Sequence, residues 1–188
     1  MGRTTGRDAD ETRRQIIEAA ARLISRRGSA VPISAIADAA GVSKGGLLYH
    51  FASKDELLEA VAGRLFDSFR DAVHDAASED PDPGRLTRAY VRVSFADVAD
   101  EAAAREMIAV AAQLMHEPRI QQIAAEDGAR WREDLFGDGL DPAVVRIVLT
   151  STDGVSAAPL WGTVLTSGDV AALEAQLLAL ASAPVADA

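Results

Sequence analysis

The run Ser43-Lys44-Gly45-Gly46-Leu47-Leu48-Tyr49-His50, followed closely by Ser53-Lys54, holds the residues of this chain best suited to chemistry. That chemistry is anion binding. Lys44 is cationic, and Tyr49 and His50 can donate hydrogen bonds to phosphate oxygens. Lys54 stands where a helix is expected to begin, so unpaired backbone N–H groups add to its attraction for an anion. Gly45 and Gly46 have no side chains, and each weakens a helix by about 1 kcal/mol relative to alanine. The pair reads either as backbone left bare for close approach to a partner or as an irregular turn.

No other set of residues competes with this one. There is no cysteine, which excludes disulfides, thiolate chemistry and cysteine-bound metal. The three histidines, His50, His74 and His116, stand in no Glu-x-x-His or His-Glu-x-x-His pattern, and neither a Gly-x-Ser-x-Gly nor a phosphate-loop motif occurs. Catalytic residues, metal ligands and cofactors are therefore not expected, and the chain is not read as an enzyme. A helical-bundle enzyme is the weakest alternative.

The elements that must position the anion-binding run are short helices. Ile16, Ile17, Ala20, Leu23 and Ile24 recur at helical spacing and stop at Gly28, a good residue to follow a helix. Asp8 with Glu11 can form a capping box at the start. Ser34–Ala40 makes a second helix, ended by Gly41. Ser43 can cap a third, which runs to about Tyr49. Ala37 is small where the third helix crosses the second, and Gly41 allows a sharp turn between them. Ile36, Ala40, Val42 and Leu47 supply a small core. This is the grammar of a helix-turn-helix, whose second helix enters the DNA major groove.

Ile36-Ala37, Ala40-Gly41-Val42-Ser43-Lys44-Gly45, Leu48-Tyr49-His50-Phe51, Ser53-Lys54 and Leu57-Leu58 together closely resemble the DNA-binding domain of the tetracycline-repressor (TetR) family. The resemblance runs without gaps from about Thr12 to about Ala62. It implies a three-helix DNA-binding domain, a long fourth helix leading into a ligand domain, a homodimer, and repression relieved by a small effector. The family's usual DNA-contacting positions fall here on Lys44, Gly45, Gly46, Leu48, Tyr49, His50 and Lys54, and Ser43 joins them. One position departs. Ile33 stands where many members carry Thr or Ser to hold a phosphate, and the adjacent Ser34 is the hydroxyl that can replace it.

Charge follows the same division. Residues 1–54 carry nine Lys/Arg against five Asp/Glu, a balance of +4, whereas residues 55–188 carry ten against twenty-four, a balance of −14; together they give the formal −10. A basic head on an acidic body can sit on phosphates while the body is repelled from them. The expected domains are accordingly 1–54, a helix-turn-helix with a flexible basic arm, and 55–188, a helical effector-binding and dimerisation domain. No apolar stretch is long enough for a transmembrane helix, and the N-terminus has no apolar secretory core, so a cytoplasmic, nucleoid-associated protein without membrane contact is expected.

The body reads as all-α, about nine helices in total. Ser53-x-x-Glu56 is a capping box, and behind it Leu57, Val61, Leu65, Phe69 and Val73 define a long fourth helix that ends before Asp80-Pro81-Asp82-Pro83-Gly84. Further helices are expected over 85–98, 101–115, from Pro118, from Asp141-Pro142 to a break at Pro159, and from Asp169. The helix from Asp141 is apolar on more than one face. With the alanine-rich last helix, it reads either as buried in its own core or as half of an intermolecular four-helix bundle. The latter joins two subunits through the last two helices and sets two recognition helices on a palindromic DNA operator. A pocket for a small, apolar or amphipathic effector is expected among helices 4 to 8, with Phe66, Phe69, Tyr90, Phe95, Met107, Met115, Trp131 and Trp161 as candidates; for each, core packing is the competing role. His116 and Asp127 read as a solvated loop histidine and a surface carboxylate, with orientation of a ligand as the alternative. A DNA-binding activator or regulator without a ligand keeps the head and needs no pocket.

Overall fold

The computed structural model describes residues 9–160, 162 and 164–182. Among these, every regular element is helical: α1 (Ala9–Arg27), α2 (Ile33–Ala40), α3 (Lys44–His50), α4 (Lys54–Ala77), α5 (Arg85–Ala99), α6 (Glu101–Leu114), α7 (Pro118–Phe136), α8 (Pro142–Ala157) and α9 (Ser167–Leu180), with a 3-10 turn at Ala158–Leu160. The chain is thus all-α, as the periodicity predicts.

Capping chemistry sets most of the boundaries. In α1, Asp10 and Glu11 lie in the first turn and Arg26 and Arg27 in the last, each charge complementing the helix dipole. Asp8 of the expected α1 cap lies outside the described residues. Gly41 ends α2 in the left-handed region (φ 68°), and the N–H of Val42 then reaches back to the carbonyl of Ala37 at 3.0 Å. The Ser53 hydroxyl accepts from the Glu56 N–H (3.1 Å), while the Glu56 carboxylate accepts from the N–H of Ala52 (2.7 Å). The capping box before α4 therefore closes one residue earlier than the standard pattern. The Asp141 carboxylate accepts from the Ala143 N–H at 2.6 Å, with Pro142 in the first turn of α8. At the other end Pro159 lacks an N–H to continue the ladder, and the chain tightens into the 3-10 turn.

The last helix begins earlier than the expected Asp169. Thr166 is its N-cap, and Asp169 is the third residue of a reciprocal box: the Asp169 N–H donates to Thr166 Oγ1 (3.2 Å) and the Thr166 N–H to Asp169 Oδ2 (2.9 Å). An acidic residue one turn before the first leucine, Leu173, looks like a helix start; here it completes one.

The chain divides into two compact units. One comprises the described residues through Leu65 with Ala109–Ile123. In it α1 packs on α2 and α2 on α3. Ile16, Ala20 and Ile24 of α1, Ile36 and Ala37 of α2, Leu47 of α3, and Phe51 and Leu57 are all fully buried. The other comprises Phe66–Ile108 and the described residues from Ala124 onward. There α5 is central and packs on α8 and α9. Its Leu86 and Ala89 join Val73, Leu135 and Val145 in one cluster, and its Val91 and Phe95 join Val148, Val155 and Leu177 in another. Thr152 lies on the same face of α8 as Val148 and Val155, fully buried, and its hydroxyl has no hydrogen-bond partner among the described residues.

The Asp80–Gly84 linker is pinned. Buried Arg88 grips the Asp80 carboxylate with both Nε (3.0 Å) and Nη2 (2.8 Å), and its Nη1 donates to the carbonyls of Pro83 (2.8 Å) and Ala181 (2.9 Å). One guanidinium thereby ties the start of α5 to the end of α9. Gly84 makes the approach possible: its φ is 84°, and a Cβ there would stand 2.8 Å from the Ala181 carbonyl.

Candidate DNA-binding face and ligand cavity

The anion-binding run is helix α3 itself. Leu47 is its buried anchor, while Lys44, Gly45, Leu48 and Tyr49 face solvent and Gly46 and His50 are half-buried. Gly45 and Gly46 are both helical, so the pair is regular helix and not an irregular turn. A Cβ on Gly45 would meet nothing nearer than Ser43 Oγ at 3.9 Å. Internal packing therefore does not explain a glycine there. The Ser43 hydroxyl caps the helix by accepting from the Gly46 N–H at 2.9 Å, which leaves its own O–H able to donate outward. Tyr49 is 84% exposed, and its recorded ring neighbour is His50, edge-on at 5.3 Å. The Tyr49 ring and the Lys44 side chain thus both stand in solvent on α3. Ser34 is exposed on α2, and Lys54 is half-buried in the first turn of α4.

A residue outside the motif holds α3 in place. Arg13 of α1 donates from Nη1 to the carbonyl of His50 at 3.0 Å, and its guanidinium lies 4.2 Å from the centre of the buried Phe51 ring. It satisfies one of the open carbonyls at the end of α3 with a cation, as the helix dipole favours. Nothing in the spacing of α1 singles Arg13 out; only the tertiary crossing does.

In the second unit, three of the expected pocket residues pack on one another. Phe69, Tyr90 and Trp131 meet edge-to-face, with ring centres 5.2, 5.7 and 5.3 Å apart. Arg70 lies over Trp131 at 4.1 Å and pairs with Asp127 (3.1 Å) and Asp134. Asp127 is 5% exposed and is also bound by Arg130, so it is a buried ion-pair partner and not the surface carboxylate expected. Its three-residue spacing to Arg130 was visible; its match to Arg70, 57 positions away, was not. His116 is exposed, as read. Tyr90 donates to Asp153 at 2.9 Å, and burial, with the Asp153 charge, pushes the phenol well above its ordinary range. Burial likewise raises the Asp153 carboxyl.

The open space lies elsewhere, in a cavity of about 950 Å³ lined from α5, α6, α8 and α9. Among the described residues that line it, Phe95, Val98, Val155, Val170 and Leu173 form apolar wall, and Arg105 and Glu174 are charged. Among the described candidates Phe95 lines it, whereas Phe69, Tyr90 and Trp131 do not. Phe66 and Met107 are half-buried, Met115 is exposed, and none of the three reaches it. Trp161 lies outside the described residues. Leucines and valines of α9 mark a core face in the sequence, but which side of that helix borders empty space depends on how it meets α5 and α8.

Residues 16–61 match the profile of the tetR family of bacterial regulatory proteins, and residues 84–182, just over half of the chain, match the tetracyclin repressor-like C-terminal domain. The chain belongs to the TetR family. Among its TetR relatives, the transcriptional regulator BetI of Burkholderia thailandensis is 32% identical over 141 residues, covering 71% of this chain and 72% of BetI. The regulator TtgR of Pseudomonas putida is 41% identical over 81 residues, 43% of this chain and 39% of TtgR, so the match spans about two-fifths of that relative. Among solved structures, the multidrug binding protein EbrR complexed with malachite green superposes with a TM-score of 0.68 at 25% identity, over 92% of this chain and 98% of EbrR. In this TetR chain the regulatory-protein match contains α2 and α3 whole, and the C-terminal match contains every residue named above as lining the cavity. Among the described residues no helix is long and apolar enough to cross a membrane.

Proposed function

We propose that this TetR-family regulator is a homodimeric repressor that leaves a palindromic operator when a small apolar or amphipathic effector binds its helical body. The observation that carries the DNA half is α3: an exposed Lys44 and Tyr49 on a helix whose second residue is an otherwise unexplained glycine. Ser34, Ser43, Lys44, Gly45, Gly46, Leu48, Tyr49, His50 and Lys54 are the proposed contacts. Lysine, serine and tyrosine hold phosphates, and the bare backbone of α3 approaches the bases. In this reading residues 1–54 bind DNA and 55–188 bind effector and partner, in the cytoplasm at the nucleoid.

The large, mostly apolar cavity supports an effector. That EbrR, similar over nearly its whole length, is a multidrug binding protein complexed with malachite green supports the same reading. The exposed side of the last two helices supports the dimer: Ile147 of α8 is 54% exposed, and Ala172, Ala175 and Ala179 face outward from an α9 that is apolar nearly all round. Small side chains allow two such helices to approach closely. As a single helix, α4 contributes to both compact units, so displacing its C-terminal half is the proposed route by which the effector changes the spacing of the two recognition helices.

A gel-shift titration on the DNA directly upstream of the gene tests this. Purified protein should bind at low salt as a dimer, release the DNA as an effector is added, and become monomeric in Ile147→Glu by sedimentation. Absence of a shift at low salt would refute the DNA reading, and a shift insensitive to every effector would favour an activator or a regulator without a ligand.

A further inference from the structure

Lys44 and Lys54 are the only lysines among the nineteen Lys and Arg residues of the chain. Every other basic side chain of that set is an arginine, whose guanidinium stays charged and is not acylated at neutral pH. Several arginines serve the scaffold: Arg13, Arg70 and Arg88 direct their N–H groups at carbonyls and carboxylates. Both lysines instead fall on the proposed DNA face, and they differ from each other. Lys44 is exposed, and no hydrogen bond or ion pair reaches it among the described residues. The next residue is the exposed Gly45, where even an added Cβ would meet nothing nearer than 3.9 Å, so that flank of Lys44 is open. Lys54 is half-buried, and the exposed Asp55 and Glu56 follow it. Residues 39–54 contain no Asp or Glu, so an anion that approaches Lys44 meets no carboxylate on that run.

We propose that Lys44 is an acylation site: an acyl phosphate transfers its acyl group to the Lys44 amine and lowers operator affinity without any effector. The unprotonated amine nitrogen attacks the acyl carbon, the bond from that carbon to the phosphate oxygen breaks, and the amine's proton leaves with the phosphate. The product is an amide that keeps the length of the side chain and loses its charge. A phosphate-bearing donor is drawn by the same positive balance, +4 over residues 1–54, that draws DNA. The proposal rests on the DNA-binding reading above and adds a covalent route off the operator to the effector route.

Treating the full-length protein with acetyl phosphate tests this, with peptide mass mapping and a gel shift on the upstream DNA read from the same samples. Lys44 should be acetylated before Lys54, and bound DNA should shield it. Each modified subunit should lose about fivefold in affinity at physiological salt, and the slope of log affinity against log salt should fall by about 0.9. The urea midpoint should not move, because Lys44 has no partner to lose. Lys44→Arg carries a charge that the reagent does not remove, so its affinity should be the same before and after treatment. Lys54→Arg should lose as much on treatment as the parent does. Acetylation of Lys54 ahead of Lys44, unchanged affinity once Lys44 is modified, or an equal loss in treated Lys44→Arg would overturn the site. So would a lowered urea midpoint, since the lost affinity would then be lost structure. The mass mapping needs no DNA. A protein that shifts its upstream DNA but is never modified at Lys44 refutes the acylation site alone; selective acetylation of Lys44 in a protein that shifts no DNA leaves the site standing and refutes the repressor.

Discussion

Helices α3 and α5 treat polar groups in opposite ways. The seven residues of α3 leave Lys44 and Tyr49 in water, where they contribute almost nothing to the fold and remain available to a partner. The fifteen residues of α5 take Thr87, Arg88 and Ser94 inside. Thr87 donates from both its N–H (2.8 Å) and its hydroxyl (3.0 Å) to Asp138, and Arg88 serves the linker and the end of α9 together. The difference separates two kinds of charge. An exposed, unpaired cation marks a surface for recognition, whereas a buried cation with every N–H directed at an oxygen marks a joint of the scaffold.

Substitutions that exchange stability for binding sharpen this contrast, and the largest effect lies in the body. Arg88→Ala leaves the carbonyls of Asp82, Pro83 and Ala181 and the half-buried Asp80 carboxylate without their buried donor, and should cost about 3 kcal/mol in urea unfolding. The same variant alters acid unfolding. Arg88 holds the Asp80 carboxyl below its ordinary value of 3.8, so the pair stabilises the fold above that pH and loses its contribution as pH falls through the lower folded-state value. Arg88→Ala should therefore flatten stability against pH in that acidic window. An unchanged acid limb would mean the pair does not couple to folding. Lys44→Ala should do the reverse: unfolding stays within about 0.5 kcal/mol of the parent. Operator affinity drops for all sequences, and the slope of log affinity against log salt falls by about 0.9. An unaltered slope would take Lys44 off the phosphates. Thr152→Val removes a buried hydroxyl that has no partner and should stabilise the fold by about 1 kcal/mol. Destabilisation there would show that the hydroxyl is satisfied in solution. Smallest of all, Tyr49→Phe should leave stability untouched and weaken DNA binding by about 1 kcal/mol or less; equal affinity would make the ring a bystander.

The same contrast explains what could be read from the chain. Helices and their caps are written within four residues of themselves, so Gly41, Ser53 with Glu56, Asp141-Pro142 and the break at Pro159 are legible without a structure. The α3 face is legible for the same reason, since one short run holds nearly all of it. The body is built from contacts of long reach. Arg70 meets Asp127 across 57 positions, and Arg88 meets the Ala181 carbonyl across 93. No local pattern distinguishes such an arginine from a solvated one. For the same reason Phe69, Tyr90 and Trp131 look like pocket residues in the sequence and pack as a cluster in the fold, while Glu174 looks like an ordinary polar position on α9 and borders the cavity.

The grip of Arg13 on the end of α3 bears on how this regulator can vary. A helix of seven residues is too short to persist alone, so its direction belongs to its neighbours as much as to its own side chains. Arg13 reaches the His50 carbonyl and covers the Phe51 ring from a different helix. A genetic selection for lost operator binding should therefore collect α1 alleles at Arg13 alongside those in α3, because the direction of α3 is held from outside it.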